Sequence, residues 1–225
     1  MRVSVIVPVL NEAATIGTTI DDLKGRGFHE LIVVDGGSED GTRRICRQHG
    51  IEPVGSRRGR GAQMNEGARR ATGDVLLFLH ADTRLPETAA ADIHRAMSDP
   101  TVAGGRFDIR LDASGFLMKL IGAMISWRSR LTRVSTGDQA IFVRREVFAA
   151  LGGYPDYPLM EDIAFSRALK RTGRIACLKS RVITSARRWE REGVWRTIVK
   201  MWALKLLYLS GSSPFRLKRY YEDVR

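Results

Sequence analysis

The chain contains only two cysteines in 225 residues, Cys46 and Cys177. They lie far apart in apolar surroundings, which argues against a fold held together by disulfides and favours buried free thiols in a reducing compartment. We also expect no secretory leader, because Met1 and Arg2 lead directly into a predicted strand. Both absences argue against secretion and predict a cytoplasmic protein.

Long apolar runs are absent as well. The stretch at residues 116–127 contains Lys119 and reaches about half of the ~20 apolar residues that a membrane-spanning helix needs. The stretch at residues 192–209 is interrupted by three basic residues, so we expect neither to cross a bilayer. A hydrophobic content of 44% and a charged content of 28% are instead typical of a globular protein with a substantial core.

Acidic residues are scarce in the C-terminal quarter. Residues 1–166 hold 21 basic and 21 acidic residues, whereas residues 167–225 hold 16 basic and 4 acidic ones and carry the whole net charge of +12. The predicted last helix is apolar around most of its circumference, at Trp195, Ile198, Val199, Met201, Trp202, Leu204, Leu206, Leu207, Tyr208 and Leu209. We therefore expect it to contact the domain and a second subunit, as in a homodimer, or the inner face of the cell membrane.

Short apolar strands alternate with helices over the first hundred residues. The pattern predicts strands at residues 2–9, 30–35, 51–55 and 74–79, and helices at residues 12–24, 40–49, 61–71 and 86–97. Such an order predicts an α/β fold with a parallel sheet and right-handed crossovers.

The pattern changes after residue 100. Residues 102–111 alternate apolar and polar side chains, which predicts a half-exposed antiparallel strand. The remaining predicted elements are a helix at 114–131, a strand at 139–144, a helix at 160–172, short strands at 174–178 and 181–184, and a helix at 192–209. The whole is a mixed, mainly parallel sheet flanked by helices, with a helical extension.

Carboxylates follow two of the predicted central strands. Asp35 comes after the second strand and Asp82 after the fourth, while Glu161 and Asp162 open a predicted helix. The carboxyl ends of parallel strands share one edge of a sheet, where α/β folds bind ligands. Asp35 and Asp82 therefore predict a site for a divalent metal and a nucleotide, although helix capping is an alternative role for Glu161.

Four motifs now stand in order along the chain. They are residues 8–12 (Pro-Val-Leu-Asn-Glu), 34–42 (Val-Asp-Gly-Gly-Ser-Glu-Asp-Gly-Thr), 79–83 (Leu-His-Ala-Asp-Thr) and 161–162 (Glu-Asp). In this order the chain resembles a family 2 inverting glycosyltransferase over essentially its whole length. Residues 78–83, 137–140 and 185–189 make it similar to a small bacterial subgroup of that family.

The resemblance implies a GT-A fold with a nucleotide-sugar-binding half at residues 1–100 and an acceptor half at 101–184, followed by a basic amphipathic extension at 185–225. The residues it implies for the donor are Pro8, Asn11, Glu12, Asp35, Gly37, Arg60, Gln63, His80, Ala81 and Asp82. A mobile basic loop before a helix is the alternative interpretation of the segment around Arg60.

The metal motif of the family is Asp-x-Asp, and this chain has His80, Ala81 and Asp82 in its place. The resemblance implies that Asp82 ligates Mn²⁺ or Mg²⁺ on the donor diphosphate. Because His80 adds no negative charge, we expect weaker metal binding and a preference for Mn²⁺, which tolerates nitrogen ligands.

On the acceptor side, the resemblance implies that Asp162 removes the proton from the acceptor hydroxyl, with Glu161 in support. The reverse assignment is left open. Arg188 is implied to neutralise the leaving diphosphate. Trp189 is implied to contact the acceptor. The turn at Gly137, Asp138 and Gln139 is implied to orient either the acceptor or the donor sugar. The glutamine of processive synthases is missing before Arg187, which predicts transfer of one sugar rather than synthesis of a polymer.

The predicted function is thus metal-dependent transfer of one sugar from a nucleoside diphosphate, preferably UDP, to an unknown hydroxyl acceptor. A nucleotidyltransferase is less consistent, since residues 11–14 after the first strand form no glycine-rich basic loop. An oxidoreductase is disfavoured because no Gly-x-Gly-x-x-Gly follows that strand. A non-enzymatic module that binds a membrane or nucleic acid through the basic region is a further alternative, although we expect no nucleic-acid partner.

Overall fold

The computed structural model describes residues 1–221, and its centre is one eight-stranded sheet in the order β3-β2-β1-β4-β7-β6-β8-β5. The strands are β1 (Val3–Val9), β2 (Glu30–Asp35), β3 (Val54–Gly55), β4 (Val75–Phe78), β5 (Thr83–Arg84), β6 (Val102–Asp112), β7 (Phe142–Arg144) and β8 (Arg174–Ser185). The predicted α/β class with a mixed sheet is confirmed.

Ten helices flank this sheet within the described residues. They are α1 (Ile16–Leu23), α2 (Thr42–Gln48), α3 (Arg60–Arg70), α4 (Ala89–Met97), α5 (Phe116–Thr132), α6 (Arg145–Ala150), α7 (Glu161–Leu169), α8 (Arg187–Glu192), α9 (Val194–Leu209) and α10 (Pro214–Leu217). Short 3₁₀ turns lie at Gly137–Gln139 and Lys218–Tyr220. Residues 222–225 of the predicted extension lie outside the described residues.

The first half of the sheet is parallel, as predicted. β1 pairs with β2 on one side and with β4 on the other, and β3 extends the sheet beyond β2. Val9 lies opposite Asp35, so β1 and β2 end side by side. Their polar continuations therefore meet at one edge, which is where the sequence predicted a site.

The second half differs from the prediction in three ways. β6 is antiparallel to β7 but parallel to β8, and it is buried from Val102 to Ile109 rather than half-exposed. Its polar side chains are buried as ion pairs, because Asp108 lies between the guanidinium groups of Arg106 and Arg130. The two short strands expected at 174–178 and 181–184 form one strand, β8, with a bulge opposite Phe107 and Asp108.

The bounds of the helices also differ from the predicted ones. The helix expected at residues 192–209 is α9, which begins at Val194; Gly193, with a φ of +81°, separates it from the preceding helix α8. β5, α6, α8 and α10 were not predicted. β5 is the consequential one, because its pairing with β8 sets Thr83 opposite Thr184 and thereby brings the segment after β8 next to Asp82.

Two apolar layers hold the helices against the sheet. One contains inward-facing residues of α1, α2 and α4, and the other those of α3, α6 and α7. Both cysteines are free, as expected; Cys46 is buried and Cys177 is half-buried. Burial, together with the charge of Asp35, raises the pKa of the Cys46 thiol to about 11, so this thiol is an inert core group.

Candidate active site

A polar cleft of about 430 Å³ lies at the carboxyl edge of β1 and β4. Its walls come from four parts of the chain: the end of β1, the start of α3, the residues after β4, and a group from residues 156–221. The lining residues are Pro8, Val9, Leu10, Glu12, Arg57, Arg58, Gly59, Arg60, Gln63, His80, Ala81, Asp82, Asp156, Tyr157, Pro158, Leu159, Glu161, Arg188, Phe215, Lys218 and Tyr221. Most of the predicted donor residues are thus brought together.

The loops after β1 and β2 are tied to each other at the side of this cleft. Asn11 has a φ of +55°; its amide N–H donates to Ser38 Oγ at 2.9 Å, and its Oδ1 accepts the N–H of Glu39 at 2.9 Å. Asp35 is buried and accepts the backbone N–H of Ser38 at 3.0 Å. Asn11 and Asp35 therefore shape the loops of the predicted nucleotide site, and Gly37 provides their turn with a φ of +92°.

Gln63 of α3 connects the ends of β1 and β2. Its buried side-chain nitrogen donates to the carbonyl oxygens of Val9 at 2.7 Å and Val34 at 2.9 Å. A Cβ on Gly36 would lie 2.9 Å from the Gln63 side chain, so the close approach requires glycine there. Gln63 lines the cleft, and the structure shows that its amide also fixes the distance between the two strand ends.

Asp82 lies in an ion pair that the sequence did not predict. Its Oδ2 accepts a hydrogen bond from Nη2 of Arg187 at 3.2 Å, and the same nitrogen lies 3.5 Å from Oε2 of Glu12. Within residues 1–221, no three His, Cys, Asp or Glu side chains are grouped closely enough to hold a metal by themselves. A single carboxylate in a cleft nevertheless fits Mg²⁺ or Mn²⁺, since such ions bind through one or two carboxylates plus substrate phosphates.

His80 is the neighbour of Asp82 deeper in the cleft. Burial and the charge of Arg60 lower the pKa of His80 to about 4, against the opposing effect of Asp82. The imidazole is therefore neutral at physiological pH. It lies against Gly137, where an added Cβ would be 2.8 Å from His80 Nε2 and 3.6 Å from Asp162 Oδ2, so His80 and Asp162 both lie close to this glycine.

Glu161 and Asp162 open α7 after Met160, which has a φ of +67°. Asp162 accepts the backbone N–H groups of Gly137 and Ile163, each at 2.7 Å. Glu161 is buried and lines the cleft. Burial and the adjacent Asp162 raise the pKa of Glu161 to about 7. The two carboxylates thus differ: Asp162 is held by backbone donors, whereas burial favours the protonated form of Glu161.

A buried polar cluster adjoins Asp162, and the sequence analysis missed two of its members. Arg128 of α5 has buried Nε and Nη2 atoms, and Asp138 a buried Oδ1 atom, without hydrogen-bond partners among the described residues. Burial and Asp162 raise the pKa of Asp138. Burial and the charge of Arg128 lower the pKa of Lys205 to about 8. The sequence pattern did not single them out, because Arg128 is one of three basic residues on α5 and Lys205 is one of three on α9.

Gln139 and Trp189 lie away from the cleft lining. Gln139 is buried, and its Nε2 donates to Ser129 Oγ at 2.9 Å and to the carbonyl oxygen of Phe107 at 3.3 Å. Trp189 packs against an apolar cluster that includes Leu111 and Ile121. The structure thus places Gln139 in internal hydrogen bonds and Trp189 in an apolar contact, whereas Gly137 lies next to His80 and Asp162.

Arg188 lies in the cleft and is held by the C-terminal part of the chain. Its Nη1 donates to Glu192 Oε1 at 2.9 Å, and its guanidinium carbon lies 4.3 Å from the ring centre of Tyr221. Lys218 lies 5.3 Å from the same ring. Phe215, Lys218 and Tyr221 were not predicted as site residues, yet all three line the cleft. The extension therefore forms one wall of it.

Comparisons with known proteins agree with this geometry. The sequence model described as "Glycosyl transferase family 2" matches residues 4–151. A protein named "PGL/p-HBAD biosynthesis glycosyltransferase" from Mycobacterium bovis is 31% identical over 231 aligned positions, which cover 95% of this chain and 87% of that protein.

Solved structures show the same fold. Glucosyl-3-phosphoglycerate synthase from Mycobacterium tuberculosis, in complex with Mg²⁺ and UDP, has a TM-score of 0.65 at 21% identity and covers 92% of this chain and 78% of its own. The mannosyltransferase PcManGT from Pyrobaculum calidifontis, in complex with GDP-Man and Mn²⁺, has a TM-score of 0.70 at 22% identity. The alignment covers 97% of this chain and 68% of the mannosyltransferase chain. The fold is that of the GT-A glycosyltransferases, and the chain belongs to glycosyl transferase family 2.

Proposed function

We propose that the chain transfers one sugar from a nucleoside diphosphate sugar, preferably a UDP-sugar, to a hydroxyl acceptor with inversion at the anomeric carbon. The observation that carries this proposal is the placement of Asp82 and Glu161 in the lining of one cleft, with Asp162 following Glu161 and hydrogen-bonded to Gly137 beside His80. The relatives support it, since two of the similar structures contain UDP with Mg²⁺ and GDP-mannose with Mn²⁺. Residues 1–100 would bind the donor, residues 101–184 the acceptor, and 185–225 would form the extension.

The charge of the cleft suits a diphosphate. Arg57, Arg58 and Arg60 lie at the start of α3, and Arg188 and Lys218 lie on the wall formed by the extension. Cationic side chains on both sides of a narrow cleft attract phosphate oxygens and stabilise the charge that the leaving diphosphate carries. Pro8 and its neighbours at the end of β1 would contact the base and ribose of the donor.

Asp82 would hold a divalent cation together with the diphosphate oxygens. When bound, the cation supplies positive charge for the leaving group. The neutral imidazole of His80 can donate one hydrogen bond to the sugar or ribose without repelling it. Arg187 would then leave Asp82, or share it, when donor and cation enter.

Asp162 would act as the general base. Two backbone N–H groups hold its carboxylate in place, so it is oriented before the acceptor arrives. Glu161 would position the acceptor beside it, and the opposite assignment is tested in the Discussion. A base on one side of the sugar and a diphosphate on the other give in-line displacement, and this arrangement produces inversion.

A thermal-shift panel of UDP, GDP, ADP and dTDP and their sugars, with and without Mn²⁺, tests the donor site. We expect one nucleotide to raise Tm in a Mn²⁺-dependent manner in the wild type but not in Asp82→Asn. Asp99→Asn, a carboxylate paired with Arg174 at the end of β8 away from Asp82, is the matched control. The absence of a shift with every nucleotide would overturn the proposal, and the anomeric configuration of the product tests inversion.

A further inference from the structure

The exposed apolar side chains of this protein are concentrated on one part of the surface. Among residues 1–221, fifteen large apolar side chains are exposed, and fourteen of them lie on α5 or between α9 and Tyr220; the other is Met1. Three are tryptophans, Trp127, Trp195 and Trp202, which are 65%, 73% and 53% exposed. A concentration of this kind marks an interaction surface, whereas single exposed apolar residues do not.

On each of the two long helices these side chains form a stripe along one face, with intervals of three and four residues. On α5 the stripe is Phe116, Leu120, Met124, Trp127 and Leu131. On α9 it is Trp195, Val199, Trp202, Leu206 and Leu209.

The two helices are neighbours, and the protein itself covers their other faces. Val194 of α9 belongs to the same apolar cluster as Met118 and Ile125 of α5. Farther along, Leu204 belongs to a second cluster with Val134, which follows α5. Because these clusters occupy the inner faces, both stripes point away from the sheet. The α5–α9 surface is defined here as the two stripes together with Phe215 and Tyr220.

The charge around this surface has one sign. Residues 113–135 and 193–221 contain no aspartate or glutamate. Exposed basic side chains flank the stripes at Lys119, Arg133, Arg196, Arg216 and Arg219. A second copy of the chain would bring these cations against an equally basic surface, which opposes a symmetric dimer at this position.

We propose that the α5–α9 surface rests on an anionic lipid bilayer. Tryptophan is the side chain most typical of the headgroup level, and basic side chains beside an apolar helix face bind acidic lipids. Contact is in the plane of the interface, since no helix within residues 1–221 has the length and apolarity to cross a membrane. Because Phe215 also lines the cleft, this orientation sets the cleft at the level of the headgroups.

Vesicle flotation tests the proposal with the full chain. We expect the wild type to float with vesicles of phosphatidylcholine and phosphatidylglycerol, and to remain behind with phosphatidylcholine alone or at high salt. Trp127→Gln with Trp202→Gln should lower the partition coefficient by about tenfold or more, because it removes the apolar contact and leaves the net charge unchanged.

Two double charge-reversal variants test whether binding depends on this surface or only on the net positive charge of the protein. The variant Lys119→Glu with Arg196→Glu should lower binding to anionic vesicles by about tenfold or more. The control variant is Lys24→Glu with Arg44→Glu, which makes the same charge change next to α1 and on α2. It should lower binding far less. Equal losses in both pairs, or no flotation of the wild type, would overturn the proposal. So would a wild-type dimer that the tryptophan variant converts to a monomer. Nucleotide-induced Tm shifts in the same variants report on the donor site separately.

Discussion

Arg187 donates a hydrogen bond from Nη2 to Oδ2 of Asp82 at 3.2 Å. The two residues are 105 positions apart in the sequence, and the antiparallel pairing of β5 with β8 brings them together. Asp82, the carboxylate that we expect to bind the divalent cation, is therefore already paired with the guanidinium group of Arg187. Binding of a cation at Asp82 must compete with that group, because two positive charges repel each other at one carboxylate.

This competition predicts the behaviour of Arg187→Ala. Removal of the guanidinium leaves Asp82 and Glu12 uncompensated, so the Mn²⁺ concentration at the midpoint of a Tm titration with UDP should fall several-fold. Arg191→Ala, which removes an exposed arginine from the same helix, should leave the midpoint unchanged. An unchanged or higher midpoint in Arg187→Ala would show that Arg187 supports metal binding rather than opposing it.

The assignment of the base predicts different results for the two carboxylates of α7. Asp162→Asn should lower kcat by about 10² to 10⁴, the usual contribution of general base catalysis, while Mn²⁺-dependent binding of the nucleotide remains. Glu161→Gln should have the smaller effect on kcat and the larger effect on the KM for the acceptor. The measurement is single-sugar transfer under saturating donor. A larger loss of kcat in Glu161→Gln would reverse the assignment.

Substitution of Gln63 should lower the stability of the protein and weaken the binding of the donor. Gln63→Leu removes the amide that donates to the carbonyl oxygens of Val9 and Val34, and buried groups that lose a partner cost about 1–3 kcal/mol each. We expect the free energy of unfolding in urea to fall by about 2–4 kcal/mol and the KM for the donor to rise. Gln48→Leu on the exposed side of α2 should change stability by less than about 0.5 kcal/mol.

The sequence predicted those parts of the fold that depend on local pattern. The strand predicted at residues 30–35 is Glu30–Asp35 in the structure, because an apolar run with polar ends is sufficient to define a buried parallel strand. The first hundred residues follow this rule, and so the end of β1 and the position of Asp82 were correctly placed beside one cleft.

Features that depend on distant contacts could not be predicted in this way. Arg106 and Asp108 of β6 suggested an exposed strand face, yet both are buried, and Asp108 also pairs with Arg130 of α5. Phe215 and Lys218 reach the cleft only because Leu217 is anchored in an apolar cluster with Leu159 and Ile163. No local pattern carries such information, since each contact joins segments that the chain brings together only in the tertiary structure.

The raised pKa of Glu161 predicts how stability depends on pH. In the unfolded chain this carboxyl has its ordinary pKa of 4.5, and burial beside Asp162 raises it to about 7 in the folded protein. The folded state therefore binds the proton more tightly. Its stabilising effect is complete below pH 4.5 and is lost as the pH rises to 7.

Glu161→Gln removes this proton linkage while it keeps the shape of the side chain. The free energy of unfolding of the variant minus that of the wild type should therefore be larger at pH 8 than at pH 5, by about 1–3 kcal/mol, which makes the variant relatively more stable at pH 8. Urea unfolding at the two pH values measures the difference. Glu146→Gln, at an exposed position of α6, should show the same difference at both. If Glu161→Gln also behaves in this way, Glu161 is ionised throughout this range and the proposed division between the two carboxylates fails.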